Sequence, residues 1–366
     1  MILTIIIFLI LLSVLVLIHE GGHFLAAKAA GIGVEEFGLG LPPRLVSKKI
    51  GETIYSLNLL PFGGFVRLVG EDPTDLAAER SDSFYNKSLL ARAQVILAGV
   101  FANFLLGVFI FYLVLAVTSF KADLPQFFPH QFRFVNQTPG VAVIAVEAGS
   151  PASDSGLRVA EVIDSVDGVK ITSILQLRQE LSARKGREIT LDLLDSSGKP
   201  REIKARLRTQ GEGLLGVNLT EFIHLEYKTL LQKIFSGFTH SANIIEYSGK
   251  IFGGLVWQSL AERKVEPLSQ GVAGPVGIAQ VTQQIISLGI LPTLQFAALL
   301  SLNLAVINIL PFPALDGGRL VFLGAEAVFR RKLHPKFEKW LNSAGFAILL
   351  GLILVITYND VLRILR

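Results

Sequence analysis

Leu15 to Phe24 reads LVLIHEGGHF, and the fold turns on how that stretch is understood. Residues 1–18 carry no charge, and only Thr4 and Ser13 among them are polar. A membrane-crossing helix needs about 20 mainly apolar residues, so this run is long enough to be one. Its start, MILTIIIF, lacks the basic n-region of a cleaved signal segment, so it is read as a span that stays. Yet the same run ends in His19, Glu20 and His23. Ionisable side chains are expensive in hydrocarbon and mark function there by default.

Composition points the same way. The chain has 366 residues, 51% of them hydrophobic and 17% charged, with mean hydropathy +0.53. Soluble domains usually carry roughly 25% charged residues. Residues 93–120, 267–315 and 340–359 are also free of Asp, Glu, Lys and Arg, which makes four apolar runs in all. The third is too long and too polar in its first half to be all membrane, so its span is placed at Leu288–Pro311.

Basic residues orient the four spans. Lys28, Arg44, Lys48, Lys49, Arg67, Arg80, Lys87 and Arg92 follow the first span, and Arg330, Arg331, Lys332, Lys336 and Lys339 lie between the third and fourth. In a four-span chain these two segments fall on one side, cytoplasmic by the positive-inside rule. Both termini and the region from Lys121 to Ile286 then lie outside. The net charge of +4 is mostly this loop bias and gives no reason to invoke nucleic acid. With no cysteine there is no thiolate metal site.

The chain divides into a first membrane half (1–125), a soluble domain (137–222), an amphipathic linker (223–287) and a second membrane half (288–366). In the soluble domain VAVIAV alternates like a strand, GSPASDSGL leads into a short helix, and VIDSVDGVKI reads as strand, Asp-Gly turn, strand. ILQLRQELSARKG has helical spacing, and EITLDLLDSSGKPREIKARL reads as a hairpin about Ser197-Gly198. On the cytoplasmic side TIYSLNLLPFGGFVRL, residues 53–68, reads as a β-hairpin turning at Leu60–Gly64, with an apolar tip suited to partial insertion. Its edge is a template for adding an extended peptide.

HEGGH fits H-E-x-x-H. On a helix, residues four apart share a face, so His19 and His23 reach one Zn²⁺ with Glu20 beside the open position. A third ligand must come from elsewhere, and Asp316 is the acid that closes the long apolar stretch SLNLAVINILPFPALDGGRL. Pro311 and Pro313 break the helix and Gly317-Gly318 loosens the backbone, which lets Asp316 turn toward the first span. The alternative for Asp316 is a helix cap at the span's end. Matching depth on the cytoplasmic side favours the ligand.

In motif order, HEGGH, PFGGF, AGVFANF, a PDZ-like region, AGPVGIA and NILPFPALDGG, the chain resembles the site-2 protease family of intramembrane zinc metalloproteases, in its bacterial branch carrying a PDZ domain. GSPA…GL and VDG…I carry the PDZ likeness. The resemblance implies a polytopic α-helical membrane protein with about four transmembrane helices, a membrane-associated β-hairpin and one inserted α+β PDZ domain. It implies Zn²⁺ held by His19, His23 and Asp316, Glu20 as catalytic base, and substrate backbone held by Asn303, Asn308 and the hairpin at Gly63-Gly64. The implied substrates are single-span membrane proteins, cut within or near the membrane after trimming by an upstream site-1-type protease, and the implied location is the bacterial inner membrane. Three departures stand out: Ala160-Glu161 where PDZ domains of this kind usually show Gly-Asp, Val100 where relatives often have Pro, and Arg319 where others often have His. A zinc transporter or a catalytically dead scaffold are the rival classes. The first needs no Glu20, and the second would typically have lost Glu20 or a ligand.

Overall fold

The computed structural model describes residues 2–71, 80–195, 198–210, 213–264, 273–332 and 334–365. Two compact units divide the chain, one of residues 1–114 with 240–366 and one of residues 115–239.

The first unit is built on helices: α1 (Ile2–Ala29), α2 (Leu89–Val117), most of α6 (Ser236–Glu262), α7 (Pro275–Ser287), α8 (Ile290–Ile309), α9 (Asp316–Phe329) and α10 (Pro335–Leu365). Four of these, over Ile6–Ala29, Leu89–Val117, Ile290–Ile309 and Pro335–Arg363, are long and apolar enough to cross a membrane, and they coincide with the four uncharged runs. They expose large apolar side chains, among them Ile10, Phe101, Phe109, Phe346 and Leu354. Helix α8 stops because Pro311 follows it: Leu310 is forced extended, at ψ 141°. Between the third and fourth of these helices the chain forms α9. Its Leu320 and Leu323 pack on a cluster of Ala27, Ile32, Val34, Leu68, Phe84, Val95 and Ile96, and that burial makes it a helix rather than a loop.

Two long strands, β1 (Val34–Ile50) and β2 (Thr53–Leu68), follow α1. Here the structure corrects the expected hairpin over residues 53–68. The two arms of that segment register against the same intervening strand: Phe37 pairs with both Tyr55 and Val66, and Leu39 with both Leu57 and Gly64. The tight hairpin turns earlier, at Gly51-Glu52, where Ile50 pairs with Thr53. Glycines occupy two buried positions of the inserted strand, VEEFGLGL, and blur its alternation. Gly38 is there for space, since a Cβ at that position would lie 2.5 Å from the Phe65 ring. Buried Glu36 is satisfied by Arg44 and Ser56, each 2.6 Å away.

The second unit is a twisted antiparallel sheet with strand order β3-β9-β4-β5-β7-β8 and β6 beside β5. Its strands are β3 (Lys121–Pro125), β4 (Asn136–Val146), β5 (Val162–Val166), β6 (Val169–Lys170), β7 (Glu188–Leu194), β8 (Pro200–Arg206) and β9 (Val217–Glu226). Each expected element is present. Ser150 caps the short α3 (Pro151–Asp154), Ser173 caps α4 (Ile174–Ala183), and Asp167 and Gly168, both at positive φ, turn β5 into β6. Ser197, the expected tip of the last hairpin, lies outside the described residues. The pairing of β3 with β9 carried no sequence signal. The core is Val141, Ile163, Leu177, Ile189, Leu191, Leu193 and Leu215. Ala160 sits at φ 69°, a conformation easier for glycine, and its neighbour Glu161 is buried against Arg201 at 2.5 Å. A short helix α5 (Leu230–Ile234), opened by a capping box at Thr229 and Gln232, lies near the end of the unit.

Candidate metal centre

His19 and His23 sit one turn apart on α1 and face the same way, so their ring centroids are 4.8 Å apart. Asp316, the first residue of α9, comes to them from the far end of the sequence. It arrives because the backbone after α8 doubles back. Gly317 packs so closely on that bend that a Cβ would lie 2.2 Å from the Leu310 carbonyl oxygen. Only a residue without a side chain lets α9 begin there.

The three groups converge. His19 Nε2 to Asp316 Oδ2 is 3.1 Å, His23 Nε2 to Asp316 Oδ2 is 3.3 Å, and His19 Nε2 to His23 Nε2 is 3.2 Å. Two ligands at zinc's usual bond lengths, spread at the tetrahedral angle, stand about 3.3 Å apart. Asp316 Oδ2 is buried and accepts no well-formed hydrogen bond, although two imidazole nitrogens stand close to it. Three inward-pointing atoms around a common point, one of them an orphaned carboxylate oxygen, fit a tetrahedral cation with one face left open. Among the described residues this is the cluster with ligand spacing.

Helix α2 backs the histidines. His23 Nδ1–H donates to the Val95 carbonyl at 2.8 Å, which leaves the Nε2 lone pair free for a metal. His19 Nδ1 lies 3.3 Å from the side-chain amide of Asn103. Between these two residues, Gly99 makes room for the His23 ring, since a Cβ there would stand 2.3 Å from Nε2. Gly22 does the converse on α1, where a Cβ would meet the Ala98 carbonyl oxygen at 2.4 Å. Val95, Gly99 and Asn103 recur every four residues and so occupy one face of α2.

A cavity of about 420 Å³ opens on the centre, lined by His19, Glu20, His23, Phe65, Val66, Asn308, Asp316 and Arg319 among others. Glu20 therefore shares the space with the three ligand candidates. Asn308 projects from α8 to 3.5 Å from His19 Nε2. Asn303, five residues earlier on that helix, is half-buried and does not line the cavity. Gly64 passes over Glu20, with its missing Cβ 3.5 Å from Glu20 Cγ, while Gly63 at φ 80° has open space around it. At the rim Arg319 pairs with Glu71 at 2.5 Å, and that carboxylate holds the guanidinium's pKa above its ordinary value.

Of the residues the sequence singles out, the structure brings His19, Glu20, His23, Asn308 and Asp316 together in one cavity. Neither Val95, which contributes a backbone carbonyl, nor Asn103 is among the site candidates the sequence offers. The available signal was the Gly99-x-x-x-Asn103 spacing inside a span.

Comparison with known proteins follows the same lines. The sequence profile of peptidase family M50 matches residues 7–352. The chain is 34% identical to a Clostridium perfringens protein assigned by its name to the zinc metalloproteases, over 97% of each chain. It is 29% identical to the zinc metalloprotease RasP of Shouchella clausii over 99% of each, and 27% identical to RasP of Geobacillus kaustophilus over 98% of this chain and 97% of that one. Among solved structures, a PDZ domain of an SdrC-like protein from Listeria monocytogenes overlaps 22% of this chain and 86% of its own, at 23% identity and a TM-score of 0.20, too slight to bear on the fold.

Proposed function

The chain belongs to peptidase family M50 and is a zinc metalloprotease of the site-2 type, and from that premise we propose that it cleaves single-span membrane proteins within or near their membrane segment, after another protease has trimmed them. The observation that carries this reading is the convergence of His19, Glu20 and His23 from one apolar helix with Asp316 in a single cavity. Zn²⁺ is the cofactor, and His19, His23 and Asp316 are proposed to hold it.

When bound, zinc supplies a Lewis acid that polarises a peptide carbonyl and lowers the pKa of water toward about 7. The chain's own residues do the rest. Glu20, in the same cavity, takes the proton from the attacking water and returns it to the leaving nitrogen. Asn308, beside His19 Nε2, is placed to hydrogen-bond the substrate backbone next to the scissile bond.

A helical substrate hides its carbonyls, so it has to be drawn out before cleavage. Residues 64–68 form a strand that passes over Glu20 and lines the cavity with Phe65 and Val66. Adding the substrate as a further strand there would extend it across the centre. Asn303 belongs to this proposal less directly, since it stands outside the cavity. The sheet of residues 115–239 is proposed to include a PDZ domain over 137–222 that filters substrates by the size of their outer portion, with residues 223–287 as linker between it and the second membrane half, 288–366, and with 1–125 as the first. The distribution of basic residues supports an inner-membrane placement with termini and PDZ domain outside and the centre near the cytoplasmic side.

The test is cleavage of a single-span substrate by the purified, zinc-loaded protein beside Glu20→Gln. Loss of cleavage by about 10²–10⁴-fold with zinc retained is the expected result. Equal cleavage by both proteins would remove Glu20 from the mechanism. Cleavage only outside the membrane segment would overturn the substrate assignment.

A further inference from the structure

The amide of Asn103 is fully buried at the back of the metal centre, yet half of it has no partner. Its Nδ2 lies 3.3 Å from His19 Nδ1, while Oδ1 is buried and accepts nothing. A half-turn of the amide exchanges the two atoms without moving anything else, because nitrogen and oxygen are nearly the same size.

We propose that Asn103 is a positioning residue whose Oδ1 accepts the Nδ1–H of His19, fixing the tautomer in which Nε2 presents its lone pair to the zinc. The inference rests on the reading of His19 as a ligand. With Nδ2 toward the ring, the amide donates to Nδ1. The ring proton is then on Nε2, aimed among the ligand atoms, and His19 cannot bind metal. With Oδ1 toward the ring, the orphaned oxygen gains its partner and the proton moves to Nδ1, away from the metal.

His23 shows the same arrangement in a form that cannot be turned over. Its Nδ1 faces the Val95 carbonyl at 2.8 Å, and a carbonyl only accepts. Both rings present Nε2 to the ligand cluster, so both need the proton on Nδ1. α2 meets both requirements from one face, with a backbone acceptor at 95, a gap at 99 and a side-chain acceptor at 103. The backbone of Asn103 makes a separate bond, its carbonyl accepting from Ser301 Oγ on α8 at 2.8 Å, and that bond leaves the side chain free for the ring. Outer partners of this kind hold ligand orientation and basicity, and their loss weakens metal binding.

The experiment measures Zn²⁺ affinity of the purified full-length protein in detergent, by competition with a chromophoric chelator, for Asn103→Leu, Asn103→Asp, Ser301→Ala and His19→Ala. Asn103→Leu is expected to bind zinc about 10–100-fold more weakly than the parent, and Asn103→Asp, an acceptor of the same shape, to match or exceed the parent. Ser301→Ala is expected to stay at the parent value. Parent affinity in Asn103→Leu, or equal loss in the leucine and aspartate variants, overturns the proposal, as does a loss in Ser301→Ala as large as that of the leucine variant. If Asn103→Leu does not fold, Asn103→Asp decides alone: parent affinity supports an acceptor, and a tenfold loss excludes one. His19→Ala separates the two levels of the argument. Zinc retained there removes His19 as a ligand, whereas zinc lost there but kept in Asn103→Leu removes only the role of Asn103.

Discussion

The β-rich unit hides its large apolar side chains, while the helical unit exposes many of its own and buries polar groups beside a smaller apolar cluster. In the sheet of residues 115–239 the interior is Val141, Ile163, Leu177, Leu191 and Leu193. In the helical unit large apolar side chains such as Phe101, Phe109 and Leu354 face outward, while His19, Asn103, Ser301 and Asp360 are buried. One rule produces both patterns: a polar group must find a partner wherever the surroundings offer none. Water satisfies polar groups on the outside of the sheet, so apolar side chains are driven in. Hydrocarbon satisfies nothing, so helices apolar enough to cross it are expected to gather their polar groups between them, the pattern seen here.

The difference can be broken most severely at Gly99. Gly99→Ala places a methyl against the His23 ring, where the gap is 2.3 Å. Zinc binding and cleavage are both expected to be lost, as read by metal content and by turnover of a membrane substrate, while the far-UV spectrum keeps its helical signal. Retained zinc would show that α2 does not set the ring's place.

A smaller effect, confined to the other unit, is expected from Leu191→Ala in the sheet core. Large-to-small changes at buried leucines cost about 2–5 kcal/mol. The β-rich unit should lose that much in denaturant unfolding while zinc affinity stays at the parent value. A parallel fall in zinc affinity would show that the two units do not fold independently.

Asp360 tests the polar interior of the helical unit away from the metal. Its buried carboxylate accepts the Gly277 N–H at 2.8 Å, in the first turn of α7, and a Cβ on Gly274 would lie 2.7 Å from it. The AGPVG motif thus makes room for an acid carried by α10. Removing the charge with Asp360→Asn is expected to cost about 0.3–2 kcal/mol, the range for a charge at a helix N-terminus, read as a drop in melting temperature without loss of zinc. No change would mean that packing alone seats α7.

The least effect is expected at the surface of the sheet. Asp123 pairs with His224 at 2.7 Å and raises the imidazole's pKa above its ordinary value. A raised folded-state pKa means the pair's stabilisation is full below about pH 6.5 and disappears as pH climbs through the higher folded value. Because both groups are partly solvated, the effect is small. His224→Gln should make the unit's stability flatter over that window, as followed by thermal unfolding at a series of pH values. An unchanged slope would assign the dependence elsewhere.

Sequence by itself determined the parts whose information is local. Period and charge placed the four long helices, turn residues and alternation placed β4 to β8, and a helical turn's spacing put His19 and His23 on one face. Asp316 was legible too, because an acid closing a long apolar stretch has few other uses. Only the tertiary structure decided what depends on partners across space. Residues 53–58 and 64–68 alternate like a hairpin, yet VEEFGLGL lies between them, and no periodicity within one segment names the strand it will pair with. The hold on His23 comes from Val95 through its carbonyl, which every residue type shares and no sequence can mark. The orphaned oxygen of Asn103 is likewise visible only once α1, α2 and α8 are packed. Side-chain pattern encodes which face of an element is buried, while the groups met on that face are set by the packing that buries it.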